Sequence, residues 1–243
     1  MGQRLPSNVT DEVYLDDSTV RGIEAIVDRT VDDRIVLDRT CCYPQGGGQP
    51  ADRGTLSNGE HEWQIVDVRK KDTIYHHLDG PEPPAEGTTV TVELDWDRRY
   101  AHMRYHTAQH LFSAGLLDLF DAPTTGNQLY DDRARIDCAY DRLSDTDLAD
   151  LEAWVNEAVE EERPVTWDEF DRAVAEEELD PERTRIHLLP DSITEVRIVE
   201  IEGYDRTACA GTHVENTREI GEVAVAGRET MGSDEERVRF ELR

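Results

Sequence analysis

Lysine is nearly absent: of the 26 basic residues only Lys70 and Lys71 are lysine, and the other 24 are arginine. Also missing is any run near the ~18 consecutive apolar residues that span a bilayer, so no membrane association is expected. The opening stretch, MGQRLPSNVTDEVYLDD, has no apolar segment of the secretory kind, which makes the cytoplasm the expected location. Cysteine is scarce, four in 243 residues, and the adjacent Cys41 and Cys42 are badly placed to bridge each other. A disulfide framework is therefore excluded, and the thiols must serve packing, metal binding or chemistry. The glycine cluster Gly46-Gly47-Gly48 is not followed by Lys and Ser or Thr, so it is no Walker phosphate loop. Repeats of 20 to 50 residues and low-complexity segments are likewise lacking.

What the chain has in excess is acid: 55 Asp and Glu give a formal net charge of −29. These residues run along the whole sequence in pairs and triplets, such as Asp16-Asp17, Asp131-Asp132, Glu160 to Glu162 and Glu176 to Glu178, instead of forming one terminal block. An acidic surface that is continuous along the sequence points to adaptation to concentrated salt more than to a tail awaiting a basic partner. Any nucleic acid must be bound despite the net charge. With 37% hydrophobic residues the chain can fill a core, and its length fits one large or two small domains.

Residues 9 to 94 show short β-branched runs broken by turns: Val20 to Val27, Arg34 to Asp38, Trp63 to Val68, Thr73 to Leu78 and Thr88 to Leu94. Spacing near ten residues predicts a small β-barrel or sandwich. The pattern changes near Asp95, where Tyr100, Met103, Thr107, Leu111, Ala114 and Leu117 recur at three and four, predicting a helix from Arg98 to Phe120 with Asp97 as its N-cap. A second helix is expected from Ser144 to Glu162, opened by a Ser144/Asp147 capping box and closed before Pro164. Alternation over Glu195 to Ile201, Glu222 to Ala226 and Arg237 to Leu242 predicts three further strands. The expected fold class is α+β, with a β-barrel domain over residues 1–95 and an α+β domain over 96–243.

The chemistry concentrates in two places. His106 and His110 lie four apart on the long helix, about 40° apart at 3.6 residues per turn, so both imidazoles can reach one ion. Cys209 and His213 supply a thiolate and a third imidazole, and three nitrogens with one sulfur suit tetrahedral zinc, one ion per chain. Neither pair alone would carry the assignment; together they make a complete ligand set. His61, His76, His77, His102 and His187 show no such pattern and read as structural or surface residues, while Cys41, Cys42 and Cys138 read as buried small hydrophobes. The segment Tyr43-Pro44-Gln45-Gly46-Gly47-Gly48-Gln49-Pro50 reads as a tight turn whose glycines permit positive φ and close approach of another backbone or a ligand.

These motifs occur together and in order, and with them the chain resembles the editing module of alanyl-tRNA synthetase. It is most similar to the free-standing alanyl-tRNA editing proteins, AlaX, in the form that keeps the glycine-rich N-terminal domain. The resemblance is carried by Cys42 through Gly54, by Arg99 through Leu111 and by Cys209-Ala210-Gly211-Thr212-His213-Val214, and so covers nearly the whole chain. It implies hydrolysis of tRNA for alanine mischarged with serine, and with glycine as a second substrate, acting in trans and without an obligate protein partner. The family's zinc ligands fall on His106, His110, Cys209 and His213, its glycine motif on Gly46, Gly47, Gly48 and Gln49, and a pocket glutamine on Gln128. Two departures stand out: Ala210 replaces a glycine of many relatives, and Gln109 replaces a threonine, which bears on how the serine hydroxyl is recognised.

The need for such an enzyme follows from pocket physics. A synthesis site sized for alanine excludes a small extra hydroxyl poorly, so a second site must test for that hydroxyl with a hydrogen bond. Gln109, Thr107 and Gln128 are the residues proposed for that test. Zinc can polarise the ester or lower the pKa of a bound water, although four protein ligands describe a normally closed, structural site, so one ligand must loosen or the coordination must expand. Arg98, Arg99, Arg104, Arg133 and Arg135 are the candidate phosphate contacts. Two alternatives stay open: a non-catalytic tRNA-binding module with structural zinc, and an editing domain for threonyl-tRNA.

Overall fold

The computed structural model describes residues 10–243 except 180, 182, 185, 187–189, 191 and 192, so His187 lies outside the described residues. It divides into two compact units, Met1–Ala101 and His102–Arg243.

In the first unit, β1 (Asp11–Glu12) and α1 (Val13–Asp16) lead into β2 (Gly22–Val31), β3 (Arg34–Leu37), β4 (Arg39–Thr40), β5 (Gly54–Ser57), β6 (Glu62–Lys70), β7 (Ile74–Asp79) and β8 (Thr89–Leu94). Six of these strands close a barrel in the order β2-β3-β7-β6-β5-β8, sealed by antiparallel pairing of β2 with β8. Strict alternation explains the closure: β8 buries Val90, Val92 and Leu94 and exposes the residues between them. Inside are Ile35, Leu37, Leu56, Trp63, Ile65 and Ile74, with Cys41 and Cys42 buried among them as small apolar groups.

Helix α2 (Trp96–Phe120) follows the barrel directly. It starts two residues before the expected point, and its cap is Asp95, whose carboxylate accepts the Arg98 N–H at 3.3 Å; Asp97 sits in the first turn instead. Arg99 also departs from expectation. Its guanidinium is fully buried, paired with Asp52 and donating to the carbonyls of Ser18 and Cys41, so it cannot meet a phosphate.

The second unit adds β9 (Thr124–Leu129), β10 (Ala134–Cys138), α3 (Asp145–Glu160), β11 (Val165–Asp171), α4 (Arg172–Glu178), β12 (Glu195–Ile201), β13 (Asp205–Ala208), β14 (Val223–Thr230) and β15 (Glu236–Leu242). They form a four-stranded sheet, β14-β15-β10-β9, and a three-stranded one, β11-β12-β13. The α+β class and the closed barrel are as expected. The capping box on α3 is present in full, with Ser144 accepting from the Asp147 N–H and Asp147 accepting from Ser144. Strands β5, β9, β10, β11 and β13 and helix α4 are additions that the sequence pattern did not single out. Among the described residues no helix is long and apolar enough to cross a membrane.

Candidate metal centre

Helix α2 is buried from His102 through Leu116, Arg104 alone being half-exposed, so the two histidines four apart on it point into the protein interior. The loop after β13 brings Cys209 and His213 to them. One donor atom from each of His106, His110, Cys209 and His213 lies within 4.8 Å of the others, a group that could hold one metal ion. The Cys209 Sγ is 3.6 Å from His106 Nε2 and 3.4 Å from His213 Nε2, and the His106 and His213 rings are 4.4 Å apart between centroids.

The outer face of two rings is fixed by the fold. Thr107 donates its single hydroxyl proton to the Met103 carbonyl at 3.0 Å and accepts the Val214 N–H at 3.3 Å, so its contact with His213 Nδ1 at 3.2 Å requires that nitrogen to be the donor. In the neutral ring Nε2 of His213 then carries the lone pair and faces Cys209 Sγ. His110 turns Nδ1 to Asp205 Oδ2 at 2.8 Å. The Cys209 main chain is gripped on both sides: its N–H donates to the Arg197 carbonyl at 3.1 Å, and the Arg197 guanidinium donates to the carbonyls of Cys209 and Gly211. Gly211 N–H in turn donates to Sγ at 3.3 Å.

Electrostatics separate three of the four groups. Burial pushes the Cys209 thiol up, but the charges of His106 and His213 and the hydrogen bonds from His106 and His110 outweigh it and hold the thiol well below its ordinary range. Burial, with His106 adding to it, draws His213 down to about 3. Burial also opposes charge on His110, yet its hydrogen bonds to Asp205 and Cys209 prevail and push it up to about 9. Metal binding needs the thiolate and neutral imidazoles, so an incoming cation would displace the proton that Asp205 favours on His110.

The remaining residues singled out in the sequence fall in several places. Gln109 is buried on α2, whereas Gln128 is half-buried on β9, opposite Arg135, and donates to the Leu129 carbonyl. Arg104 donates to the Ile220 carbonyl, close to Gly221, where a Cβ would come within 2.9 Å of its guanidinium. Arg133 pairs with Asp132 and lies over the Tyr130 ring, and Arg135 pairs with Asp137. In the first unit Gly46 and Gln49 exchange backbone hydrogen bonds of 3.1 and 2.8 Å, enclosing Gly47 and Gly48 at φ of 55° and 84°. Positive φ at both central residues is the demand of a two-residue hairpin turn, which makes these glycines necessary. Nothing lies within 4 Å of a Cβ placed on Gly47, so its need is conformational. Asp205, Arg183 and Arg197 had no sequence signal, because a lone Asp or Arg outside a motif looks like any other in so charged a chain.

Two family models match: tRNA synthetases class II (A) over residues 12–98, and the threonyl and alanyl tRNA synthetase second additional domain over residues 196–239. The alanyl-tRNA editing protein AlaX-M of Methanosarcina barkeri is 38% identical over 242 residues, covering 96% of this chain and 99% of the relative. AlaX-L of Pyrococcus horikoshii is 40% identical over 229 residues, 89% of this chain and 54% of the relative. The alanine-tRNA ligase of Pyrococcus abyssi is 36% identical over 235 residues, and the chain spans only 26% of that longer protein. Aligned almost end to end with relatives of that name, and carrying both glycine hairpin and His/Cys cluster, the chain belongs to the AlaX family of alanyl-tRNA editing proteins.

Proposed function

We propose that the chain hydrolyses the aminoacyl ester of tRNA(Ala) mischarged with serine, and with glycine as a lesser substrate, using one zinc ion held by His106, His110, Cys209 and His213. The observation that carries the metal assignment is the donor geometry. A zinc tetrahedron with Zn–S of ~2.3 Å and Zn–N of ~2.0–2.1 Å has an S···N edge of about 3.5 Å, and the two Sγ–Nε2 separations are 3.6 and 3.4 Å. Relatives named for alanyl-tRNA editing support the choice of substrate.

Bound zinc would supply Lewis acidity toward the ester or toward an attacking water. The chain's own residues do the rest. Thr107 and Asp205 hold His213 and His110 with their Nε2 atoms inward, and Arg197 holds the Cys209 loop. With its hydroxyl already shared among Met103, Val214 and His213, Thr107 serves the ligands, which leaves Gln109 and Gln128 as the groups to test for a serine hydroxyl. The Gly46–Gln49 hairpin, with open space at Gly47, offers backbone groups for the RNA, and Arg104 a cationic one.

Deacylation of seryl-, glycyl- and alanyl-tRNA(Ala) and of seryl-tRNA(Thr) by the purified chain tests the reading. The expected order is seryl-tRNA(Ala) fastest and alanyl-tRNA(Ala) spared. Comparable rates on seryl and alanyl esters would sink the selectivity. Binding of tRNA without cleavage of any ester would replace the hydrolase by a binding module, and preference for tRNA(Thr) would reassign the substrate.

A further inference from the structure

We propose that Asp205, itself gripped by Arg183, is a positioning residue that sets His110 as a metal ligand; the proposal rests on the zinc-centre reading above. The Asp205 side chain, at the start of β13, is 1% exposed, a depth at which a carboxylate persists only when its oxygens are matched by donors. Both oxygens are matched. Oδ2 lies 2.8 Å from His110 Nδ1, and Oδ1 accepts from Arg183 Nε at 2.7 Å. Arg183 then reaches back to the same stretch of helix, donating to Ser113 Oγ at 2.5 Å and to the His110 carbonyl at 3.3 Å. One guanidinium therefore ties the carboxylate to the backbone of the residue whose ring that carboxylate holds.

The consequence for the ring is specific. With Nδ1–H directed at Asp205, the proton a metal displaces is the one on Nε2, whose lone pair then points toward Cys209, and turning the ring over would break the contact with the carboxylate. An anionic acceptor also makes Nε2 a stronger donor than a neutral one would, and removing such a partner typically weakens metal binding by ~10–100-fold. His213, by contrast, donates its outer N–H to the neutral Thr107 hydroxyl. His110 is thus an imidazole whose hold on the metal depends on a charge outside the ligand set.

The test uses the full chain and zinc alone, with affinity read by competition against a chromophoric chelator, in wild type, Asp205→Asn, His110→Ala and the double variant. Asn keeps the size but loses the charge and cannot accept from both His110 and Arg183. The expected result is a loss of about 10–100-fold in zinc affinity for Asp205→Asn, shrinking to less than about twofold in the His110→Ala background, because the contact acts through that ring. A merely structural role would give the same loss in both backgrounds and would overturn the proposal, as would wild-type affinity in Asp205→Asn. Arg183→Gln, which leaves Asp205 in place, provides the same comparison if Asp205→Asn does not fold, with a smaller loss that again vanishes beside His110→Ala. A wild type that binds zinc and shows the predicted coupling but cleaves no ester would sink the editing reading and leave this proposal standing; one that binds no zinc overturns both.

Discussion

Arg99 and Arg133 show how differently one residue type is used in this chain. Arg133 pairs with Asp132 in the open, where an ion pair is screened and contributes at most ~1 kcal/mol. Arg99 and Asp52 are both buried, and Asp52 additionally accepts the Tyr43 N–H at 2.7 Å, so the pair pins the segment that runs into the glycine hairpin. Asp52→Ala would strand a buried guanidinium, and the expected cost is about 3–5 kcal/mol, read as a lowered urea midpoint, against less than ~0.5 kcal/mol for Arg133→Ala. The proposed metal ligands allow an equally direct test: His106→Ala combined with Cys209→Ala removes half the donor set and is expected to abolish stoichiometric zinc in metal analysis. A full equivalent at unchanged affinity would show that the metal sits elsewhere. At this scale the site was largely legible, since two pairs spaced by four advertise themselves in any sequence. Asp205 was not, because it reaches His110 through the fold across 95 positions of sequence.

At the scale of elements, closeness of approach decides. Gly54 on β5 is packed so tightly against β8 that a Cβ would lie 2.1 Å from the Glu93 carbonyl oxygen, and backbone cannot step aside as a side chain can. Gly54→Ala is expected to destabilise the barrel by roughly 1–3 kcal/mol through overpacking, measured by thermal or urea unfolding, whereas Gly47→Ala should act mainly through its left-handed φ of 55°. The same strand illustrates what sequence reading misses: Gly-Thr-Leu-Ser carries one buried apolar residue and no visible alternation, yet its register is imposed by β6 and β8 on either side. Strands β9 and β11 were hidden for a related reason. On β11 the exposed positions include Asp168, Glu169 and Asp171, and on β9 Gly126 and Asn127 are half-buried, all residues depleted in strands, so neither segment shows a strand pattern. Strands whose buried face is unbroken, such as β8 and β12, were found within one or two residues of their ends. Helix α2 was recognised from one apolar stripe; from His102 to Leu116 it is buried nearly all round, and the His, Thr, Gln and Ser residues that blur that stripe are polar groups facing the interior.

Over the whole molecule the charge of −29 is the quantity that sets behaviour in solution. Many of its arginines are committed to single carboxylates at the surface, such as Arg39 with Asp11, Arg239 with Glu229 and Arg243 with Glu222, and these pairs still leave a large uncompensated negative field. Self-repulsion of that size opposes compaction, and it also opposes approach of a polyanionic tRNA. At 0.01 M salt, with a Debye length of ~30 Å, the repulsion acts over the entire approach; in molar salt the length falls to ~3 Å and only local contacts remain. Basic nucleic-acid binders weaken as salt rises because each neutralised phosphate releases a counterion, whereas here the release from a few arginines such as Arg104 competes with relief of a much larger repulsion. The expected outcome is that melting temperature and seryl-tRNA(Ala) deacylation both rise from about 0.1 M toward molar KCl, the first followed by circular dichroism and the second by ester hydrolysis at fixed pH and zinc. The two readouts separate the causes: a rising melting temperature with falling activity would mean that phosphate contacts dominate binding. Maximal values of both at the low-salt end would refute salt adaptation and make the acidic surface a docking face for a basic partner.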